Sequence, residues 1–314
     1  MVSPASRSLT MRTLTSLLRS LPALAAAVWL AGCATAPTAP PKPTPPPGPS
    51  VTDAATIAAL DRAIAGSHRP EANRARDQYR HPKETLEFFG LRHDMAVLEV
   101  WPGAGGWWTE ILAPVLRDKG HYYAAQWDPD AQSKYIQDGL KEYQTKLAAH
   151  PELYDRVQVT ALQAPAKLAP VPPGTLDMAL TFRNLHNWLA RDQALDMLRA
   201  MYTALKPGGI LGIKDHRADP ALPVDPKGSS GYVNQQYAID LAVQAGFELI
   251  GTSEINANPK DTRDWEQGVW TLPPVLRLGD KDREKYLAIG ESDRFTLRFR
   301  KPLTAPAAPL TASP

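Results

Sequence analysis

Blocks of apolar and polar residues alternate along residues 91–302 and predict strands and helices in turn. Short apolar runs bounded by polar or proline residues predict strands at MAVLEV, HYYAAQW, RVQVTAL, LDMALTF, ILGIKD and FELIGTSE. Apolar residues recur at helical spacing between them, as in WWTEILAPVLRDKG and in segments 129–149, 192–205 and 233–245. The last run, RFTLRFR, alternates strictly, which predicts a strand with Phe295, Leu297 and Phe299 on one face.

Two further helices are predicted before the first strand. One covers residues 51–66, and the other begins at Pro82, since proline is tolerated in a first turn, and ends at Gly90. No helix is predicted between the last two strands. Alternation of strands and helices predicts a parallel sheet with helices on both faces. We therefore expect one α/β domain over residues 51–302.

Residues 1–33 have the pattern of an export signal. Arginines precede the apolar run LPALAAAVWL, which at about ten residues is far shorter than the ~20 that span a bilayer as a helix. The following LAGC resembles the bacterial lipoprotein signal, in which the cysteine, here Cys33, is lipidated and becomes the new N-terminus. The resemblance implies export and a lipid anchor in a bacterial membrane, facing the periplasm at the outer membrane. The alternative is a chance LAGC after an ordinary signal, and Met11 is an alternative start.

The segments that flank the predicted domain read as unstructured chain. Residues 34–50 are proline-rich and predict a semi-rigid extended linker, and residues 303–314 predict a disordered tail. A formal charge of +2 gives no electrostatic reason to expect a nucleic-acid partner. A single cysteine excludes an intramolecular disulfide.

The first strand–helix junction, EVWPGAGGWW, is a candidate ligand loop. Ligands of open α/β sheets bind at the carboxyl ends of the strands, where this loop lies. Gly103, Gly105 and Gly106 allow a tight turn and a close approach of the backbone to a ligand. Glu99, at the end of the strand, is placed to accept hydrogen bonds from a bound group or from the loop. An ordinary strand–helix turn is the alternative.

This loop, followed by LDMALTFRNLHNW and ALKPGGILGIKD, resembles the class I S-adenosylmethionine-dependent methyltransferases over roughly residues 91–250. KPGG before the fifth strand is among that family's more specific marks, and E-x-W-P-G-x-G-G-W resembles a bacterial group of predicted methyltransferases. The resemblance implies a Rossmann-like seven-stranded, mostly parallel sheet with the last strand antiparallel. It also implies S-adenosylmethionine as cofactor, held by the glycine loop and Glu99. The sequence does not identify the methyl acceptor; a small molecule is expected, with a lipid or a protein as the alternatives.

Several positions depart from the family pattern. Trp101 and Pro102 replace the leading glycine, so a different first turn is expected. Gln126 stands in place of the acid that binds the ribose hydroxyls, with Asp128 as a nearby substitute. Gln163 stands where an aspartate commonly lies near the adenine amino group. The resemblance thus predicts a weakened cofactor site.

Candidate catalytic residues follow the fourth and fifth strands. Methyl transfer from a sulfonium mainly needs alignment, with a base where the acceptor must lose a proton. His186 is expected to face the methyl group as that base, or else to hold a loop. Asn184 binds a ligand or caps the next helix. Asp215 and His216 form an acid–base pair or a solvated charged loop. No cluster at metal-ligand spacing is found.

Two functions of different class remain open from the sequence. One is an S-adenosylmethionine-dependent methyltransferase on an exported lipoprotein, supported by the glycine loop, Glu99 and KPGG. The other is a catalytically inactive binding module of the cell envelope that keeps the fold, which export and the altered ribose and adenine positions favour. The polar segment 256–274 is long for a loop and is expected to form either a lid over the site or a loop on the surface.

Overall fold

The computed structural model describes residues 52–303. Cys33, with the predicted signal and the proline-rich linker, lies outside the described residues, as does the predicted tail from residue 304 onward. Within the described part, no helix is both long enough and apolar enough to span a membrane.

Seven strands form one sheet in the order β3-β2-β1-β4-β5-β7-β6. Their bounds are β1 Ala96–Val100, β2 His121–Gln126, β3 Gln158–Ala161, β4 Leu176–Phe182, β5 Leu205–His216, β6 Glu248–Ser253 and β7 Arg294–Arg300. Strands β1 to β5 pair in parallel, and β7 pairs antiparallel with both β5 and β6. The predicted Rossmann-like sheet with an antiparallel last strand is therefore confirmed.

Helices cover both faces of this sheet, as predicted. Within the described residues they are α1 Ala54–Ala65, α2 Glu71–Arg74, α3 Asp77–Arg80, α4 Pro82–Phe89, α5 Thr109–Leu116, α6 Lys134–Ala149, α7 Pro151–Tyr154, α8 Leu185–Leu189, α9 Ala194–Ala204, α10 Gln235–Gln244 and α11 Arg283–Ile289. Adjacent residues of β1 show the two layers: Val97 packs in a core cluster with α1, α4 and α5, and Leu98 packs in another with α9 and α10.

The alternating pattern of β7 is confirmed, and both of its faces are buried. Phe295, Leu297 and Phe299 are fully buried in the core cluster with α9 and α10. Arg294 and Thr296, on the other face, are also buried. A strand between β5 and β6 is covered on both sides, so its polar positions lie inside the molecule.

Two predicted helix starts are wrong, because local geometry opposes helix there. The helix predicted from residue 129 begins at Lys134, since the Gln137 amide donates to the carbonyls of Pro129 and Ala131 and holds that segment as a loop. The helix predicted from Asp192 begins at Ala194, because Asp192 has a φ of 58°, outside the helical region.

Elements around β5 and β7 also differ from the prediction. Residues 206–209, KPGG, lie within β5 as a bulge opposite Asp177, whose carboxylate binds Lys206 at 2.6 Å. The short helices α2 and α3 were not predicted. The absence of a helix between the last two strands is wrong, since α11 lies there. Its one buried residue, Tyr286, gives no helical periodicity for a sequence pattern to detect.

Candidate functional site

The glycine loop follows β1 and leaves open space above it. Gly103 and Gly106 have φ values of 75° and 50°, in the left-handed region that favours glycine. A β-carbon at Gly103 or Gly105 would meet no atom within 4 Å, whereas one at Gly106 would lie 2.8 Å from a ring carbon of Tyr143. Gly106 therefore serves close packing of the loop, and Gly105 keeps its outer surface free.

Trp101 adopts the conformation that a leading glycine would take without strain. Its φ is 51°, which costs a residue with a β-carbon about 1–2 kcal/mol. Its indole is buried and donates to the Leu162 carbonyl at 2.7 Å, and its ring lies edge-on to Trp188. Burial and this hydrogen bond offset the strain, so the loop keeps a sharp turn with a large side chain at its corner.

Three adjoining cavities meet at Trp101, over the carboxyl ends of the strands. The cationic cavity, of about 220 Å³, is lined by basic residues together with Glu99, Gly105, Gly106, Trp107 and Trp108. The aromatic cavity, of about 310 Å³, is lined by Trp127, Tyr135, Phe182, Arg183, Asn184, Asn187 and Arg191, and by the loop at Gly103. A smaller cavity of about 140 Å³ reaches Gln163 and Gln193. Together they form an elongated groove.

The residues predicted to bind ribose and adenine mainly connect the loops of this groove. The Gln126 amide donates to the Gly103 carbonyl at 3.3 Å, and its buried Oε1 has no hydrogen-bond partner. The Asp128 backbone N–H donates to Gln163 Oε1 at 3.0 Å, and the Asp128 carboxylate lies 3.9 Å from Lys167. Oε1 of Gln126 is thus a buried hydrogen-bond acceptor to which no group donates.

Glu99 lies on β1 with its carboxyl buried beneath the cationic cavity. The Tyr122 hydroxyl donates to Oε2 at 2.5 Å, and Thr109 and Tyr143 continue the chain of hydroxyl contacts. Burial, opposed by the Tyr122 hydrogen bond and by Arg80, raises the pKa of Glu99 from 4.5 to about 8. Glu99 is therefore mostly protonated at neutral pH, and its contact is with Tyr122 rather than with the loop amides.

The raised pKa of Glu99 gives a testable dependence of stability on pH. A buried acid that holds its proton in the folded state stabilises that state fully below about pH 4.5, and this contribution is lost as pH rises to about 8. The loss is at most about 1.4 kcal/mol per pH unit within that window. We expect Glu99→Gln to flatten the fall in urea-unfolding free energy between pH 5.5 and 7.5.

The exposed Glu84 supplies the matched control for this measurement. Glu84→Gln removes a carboxyl of the same kind that is already solvated, so its pH slope should equal that of wild type. Parallel slopes for Glu99→Gln and wild type would show that Glu99 does not carry the proton.

His186 and Asp215 are brought together although 29 residues separate them. His186 Nδ1 lies 3.0 Å from Asp215 Oδ1, and the His186 backbone N–H also donates to Asp215 at 3.3 Å. His186 is buried against Trp270 and lines none of the three cavities. The expected orientation toward a methyl group is therefore not seen, and this geometry supports the role of holding a loop. The role of His186 as a base stays a prediction.

Asn184 and His216 also hold neighbouring segments. The Asn184 amide donates to the Val100 carbonyl at 2.7 Å, so it joins the residues after β4 to the end of β1, and it does not cap the next helix. Asp215 and His216 are both buried, which corrects the expectation of a solvated loop. The acid–base partner of Asp215 is His186, whereas the His216 ring contacts Ser292.

His186, Asp215 and His216 form a group that could hold a metal ion, which the sequence spacing did not indicate. Their ligand atoms lie within 4.8 Å of one another. Arg183 Nε lies 3.4 Å from His216 Nε2, and burial together with Arg183 holds the pKa of His216 well below its usual value. A fixed guanidinium beside the third ligand opposes the approach of a second cation.

Segment 256–274 is packed onto the site rather than free at the surface. Asp261 is buried and accepts hydrogen bonds from the Tyr232 hydroxyl at 2.9 Å and the Trp265 indole at 2.7 Å. Tyr232 is thereby assigned a structural contact. Trp270 lies with its ring centre 6.1 Å from that of His186. Through Trp270 the segment lies against the buried ring of His186.

The basic residues of the cationic cavity were missed by sequence reasoning. They are Arg76, Arg80, Arg183, Lys214 and Arg294. One signal was available: Lys214 interrupts the apolar strand ILGIKD, and a lysine inside a buried strand needs an explanation. Nothing in the sequence pattern indicates that helix α3 brings Arg80 to the same place.

Comparison with solved structures supports the fold. A structure of the [4+2]-cyclase SpnF superimposes with a TM-score of 0.52 at 17% identity, over 82% of this chain and 99% of that chain. A SAM-dependent methyltransferase from Aquifex aeolicus gives 0.49 at 18% identity, over 72% and 93%. SAM-dependent methyltransferases from Methanosarcina mazei give 0.44 at 14%, over 68% and 95%. No protein family and no curated protein matches the sequence.

Proposed function

We propose that this chain is an S-adenosylmethionine-dependent methyltransferase. The observation that carries the proposal is the elongated groove over the glycine loop, where Gly103 and Gly105 leave room that any side chain would occupy. The groove lies at the carboxyl ends of β1 and β4, where open α/β sheets bind ligands. Structures named as SAM-dependent methyltransferases share the fold, but fold alone does not define activity, and the cyclase has the same fold.

The residues present fit this cofactor. Trp127 and Tyr135 provide aromatic surface for a purine, and Asn184 lies on the same wall. Gln126 lies behind this surface and holds the loop through its amide, which donates to the Gly103 carbonyl, while its buried Oε1 has no partner. S-adenosylmethionine supplies a methyl group on a positively charged sulfur. The role of the protein is to hold the two reactants in line and to exclude water.

Binding of the cofactor is the first test of this proposal. Calorimetric titration of the full chain with S-adenosylmethionine and with S-adenosylhomocysteine should show micromolar binding. Ligand at 100 times its dissociation constant stabilises the folded state by about 2.7 kcal/mol, which is a rise in Tm of roughly 5–11 °C for a domain of this size. No binding up to millimolar ligand would refute the proposal.

Titration with S-adenosylhomocysteine, combined with an assay of S-adenosylhomocysteine formation, decides the role of His186. An asparagine at this position keeps a donor near Asp215, so His186→Asn should preserve the loop and the affinity for S-adenosylhomocysteine. If His186 only positions the loop, methyl transfer falls less than tenfold. A fall of 10²–10⁴ with unchanged affinity would make His186 the general base.

A non-catalytic binding module is the second candidate, and one observation favours it. The Asp128 carboxylate accepts from the Asp130 backbone N–H at 3.0 Å and lies 3.9 Å from Lys167, and Asp128 is not among the residues that line the aromatic cavity. Such a module would bind the cofactor or another nucleoside without releasing S-adenosylhomocysteine over time. The test is to incubate the protein with S-adenosylmethionine and a small-molecule extract and to measure S-adenosylhomocysteine over time. A steady increase that depends on the protein would exclude the binding module.

We further propose that the protein is exported and anchored through a lipid on Cys33. The support is the order of basic residues, apolar run and LAGC in the sequence. Metabolic labelling with a fatty acid should label wild type and leave Cys33→Ser unlabelled. Absence of label from wild type would refute the anchor.

A further inference from the structure

The cationic cavity contains more positive charge than its carboxylates can pair. Oε1 of Glu291 lies 2.6 Å from Arg76 Nε, and its Oε2 lies 3.2 Å from Arg80 Nε and 2.5 Å from Arg294 Nη2. One carboxylate thus faces three guanidiniums. The other carboxyl at the cavity, Glu99, is mostly protonated at neutral pH.

Two further basic side chains of the cavity, Lys214 and Arg183, are not paired with any carboxylate. Lys214 Nζ lies 3.2 Å from the Arg80 carbonyl and 3.4 Å from Asn256 Oδ1, and Arg183 Nε lies 3.4 Å from His216 Nε2. Over residues 52–303, neither basic group forms an ion pair. Burial and the nearby Arg294 and Arg80 lower the pKa of Lys214 well below its usual value, so this amine loses charge until an anion beside it favours its protonated form. Burial lowers the pKa of Arg183 to about 10, so Arg183 keeps its charge at neutral pH.

Two buried donors in this cluster lack an acceptor. Arg76 Nη2 and Arg294 Nε have no hydrogen-bond partner, and the Arg294 side chain is 1% exposed. The large majority of buried side-chain polar atoms in proteins are hydrogen-bonded, so two unpartnered guanidinium donors beside a cavity favour a ligand that brings an acceptor. An oxyanion matches the fork of an arginine.

The aromatic walls of the cavity do not offer free ring faces. Arg80 lies 4.5 Å from the ring centre of Trp107, and Lys214 lies 4.5 Å from that of Trp108. Cations already occupy these faces, so the cavity does not suit a cationic ligand. An anion is the ligand whose charge the lining complements.

We propose that the cationic cavity binds the anionic group, a carboxylate or a phosphate, of the methyl acceptor. The proposal rests on the proposed methyltransferase function and names its substrate class. The cavity shares Trp101, Pro102, Phe182 and Arg183 with the aromatic cavity, so an acceptor in one adjoins a nucleoside in the other. Its volume of about 220 Å³ suits a small molecule.

Titration of the full chain, saturated with S-adenosylhomocysteine, tests this inference. The probes are benzoate and inorganic phosphate, with benzamide as the uncharged match for benzoate. We expect at least one anion to bind tenfold or more tightly than benzamide, and the tighter probe to show which oxyanion is preferred. Equal, negligible binding of all three probes would refute the inference and leave the proposed function standing.

Variants locate the anion at the cavity. Lys214→Met should weaken anion binding at least tenfold. Arg183→Gln should do the same, and it replaces Lys214→Met if that variant does not fold. Lys206→Met, on the same strand but exposed and paired with Asp177, is the matched control and should bind as wild type does. Unchanged anion binding in both cavity variants would refute the inference.

Competition separates this inference from its alternatives. An anion that displaces S-adenosylhomocysteine would show that the cavity holds the carboxylate of the cofactor, which refutes the acceptor role. Failure of S-adenosylhomocysteine to bind at all would refute the proposed function and the acceptor role with it.

Discussion

Replacement of Glu291 by glutamine is expected to lower the free energy of unfolding by about 3–5 kcal/mol, which is a fall in Tm of roughly 6–20 °C. The Glu291 side chain is 1% exposed and is the carboxylate shared by Arg76, Arg80 and Arg294. Its removal leaves three guanidiniums in a buried site without a counter-charge. The neutral amide keeps the size of the side chain, so the loss reports charge rather than packing.

The pH dependence of this loss follows from the same contacts. Burial alone would raise the pKa of Glu291, but Arg294, Arg80 and Arg76 hold it well below its usual value. A lowered pKa gives stability that is present above about pH 4.5 and is lost as pH falls through the folded-state pKa. The difference between wild type and Glu291→Gln should therefore shrink in acid.

Glu248 provides the control for the Glu291 variant. It pairs with Arg300 at 2.7 Å, but its side chain is 48% exposed, and exposed ion pairs contribute about 1 kcal/mol or less. Glu248→Gln should thus change Tm by only a few degrees. Equal effects of the two substitutions, measured by calorimetry at pH 7, would contradict the assignment of a buried charge cluster around Glu291.

The fold could be predicted because its signals are local. The inner strands β1, β4 and β5 contain short apolar runs that the sequence shows directly, and the glycine loop marks the first crossover. The strict alternation of RFTLRFR predicted the strand β7, and the family resemblance predicted that it runs antiparallel. The predicted helix starts were wrong where the conformation of one or two residues decides where a helix begins. Asp192, for example, has a left-handed φ, so α9 begins two residues later, at Ala194.

The site could be predicted only in part, because its chemistry depends on long-range contacts. Glu99 and Gly105 lie in one short motif and were found. Arg80 and Glu291 are 211 residues apart, and His186 and Asp215 are 29 apart, so no spacing rule indicates that they meet. The protonation of Glu99 likewise depends on burial, which the strand pattern indicates, and on Tyr122, which it does not.

Gly105→Val is expected to lower the affinity for S-adenosylmethionine at least 100-fold, which corresponds to about 2.7 kcal/mol. Gly105 is exposed, its φ is outside the left-handed region, and a β-carbon there meets no atom within 4 Å. The isolated protein should therefore keep its Tm to within about 2 °C. Gly105 lines the cationic cavity where it joins the aromatic cavity at Trp101 and Pro102, so the valine side chain would narrow the groove over the loop that the proposed function assigns to the cofactor. Titration calorimetry measures this affinity directly.

A graded series makes the steric argument specific. Gly105→Ala adds one methyl group and should weaken binding less than valine does, whereas Ala221→Val, in an exposed loop elsewhere, should leave the affinity unchanged. Affinity that is independent of side-chain size at Gly105 would mean that the ligand lies away from this loop. A large fall in the Tm of unliganded Gly105→Val would instead mean that the loop packs more tightly than its open surface indicates. Only a loss of affinity that grows with the side chain, at constant Tm, supports a cofactor bound directly over Gly105.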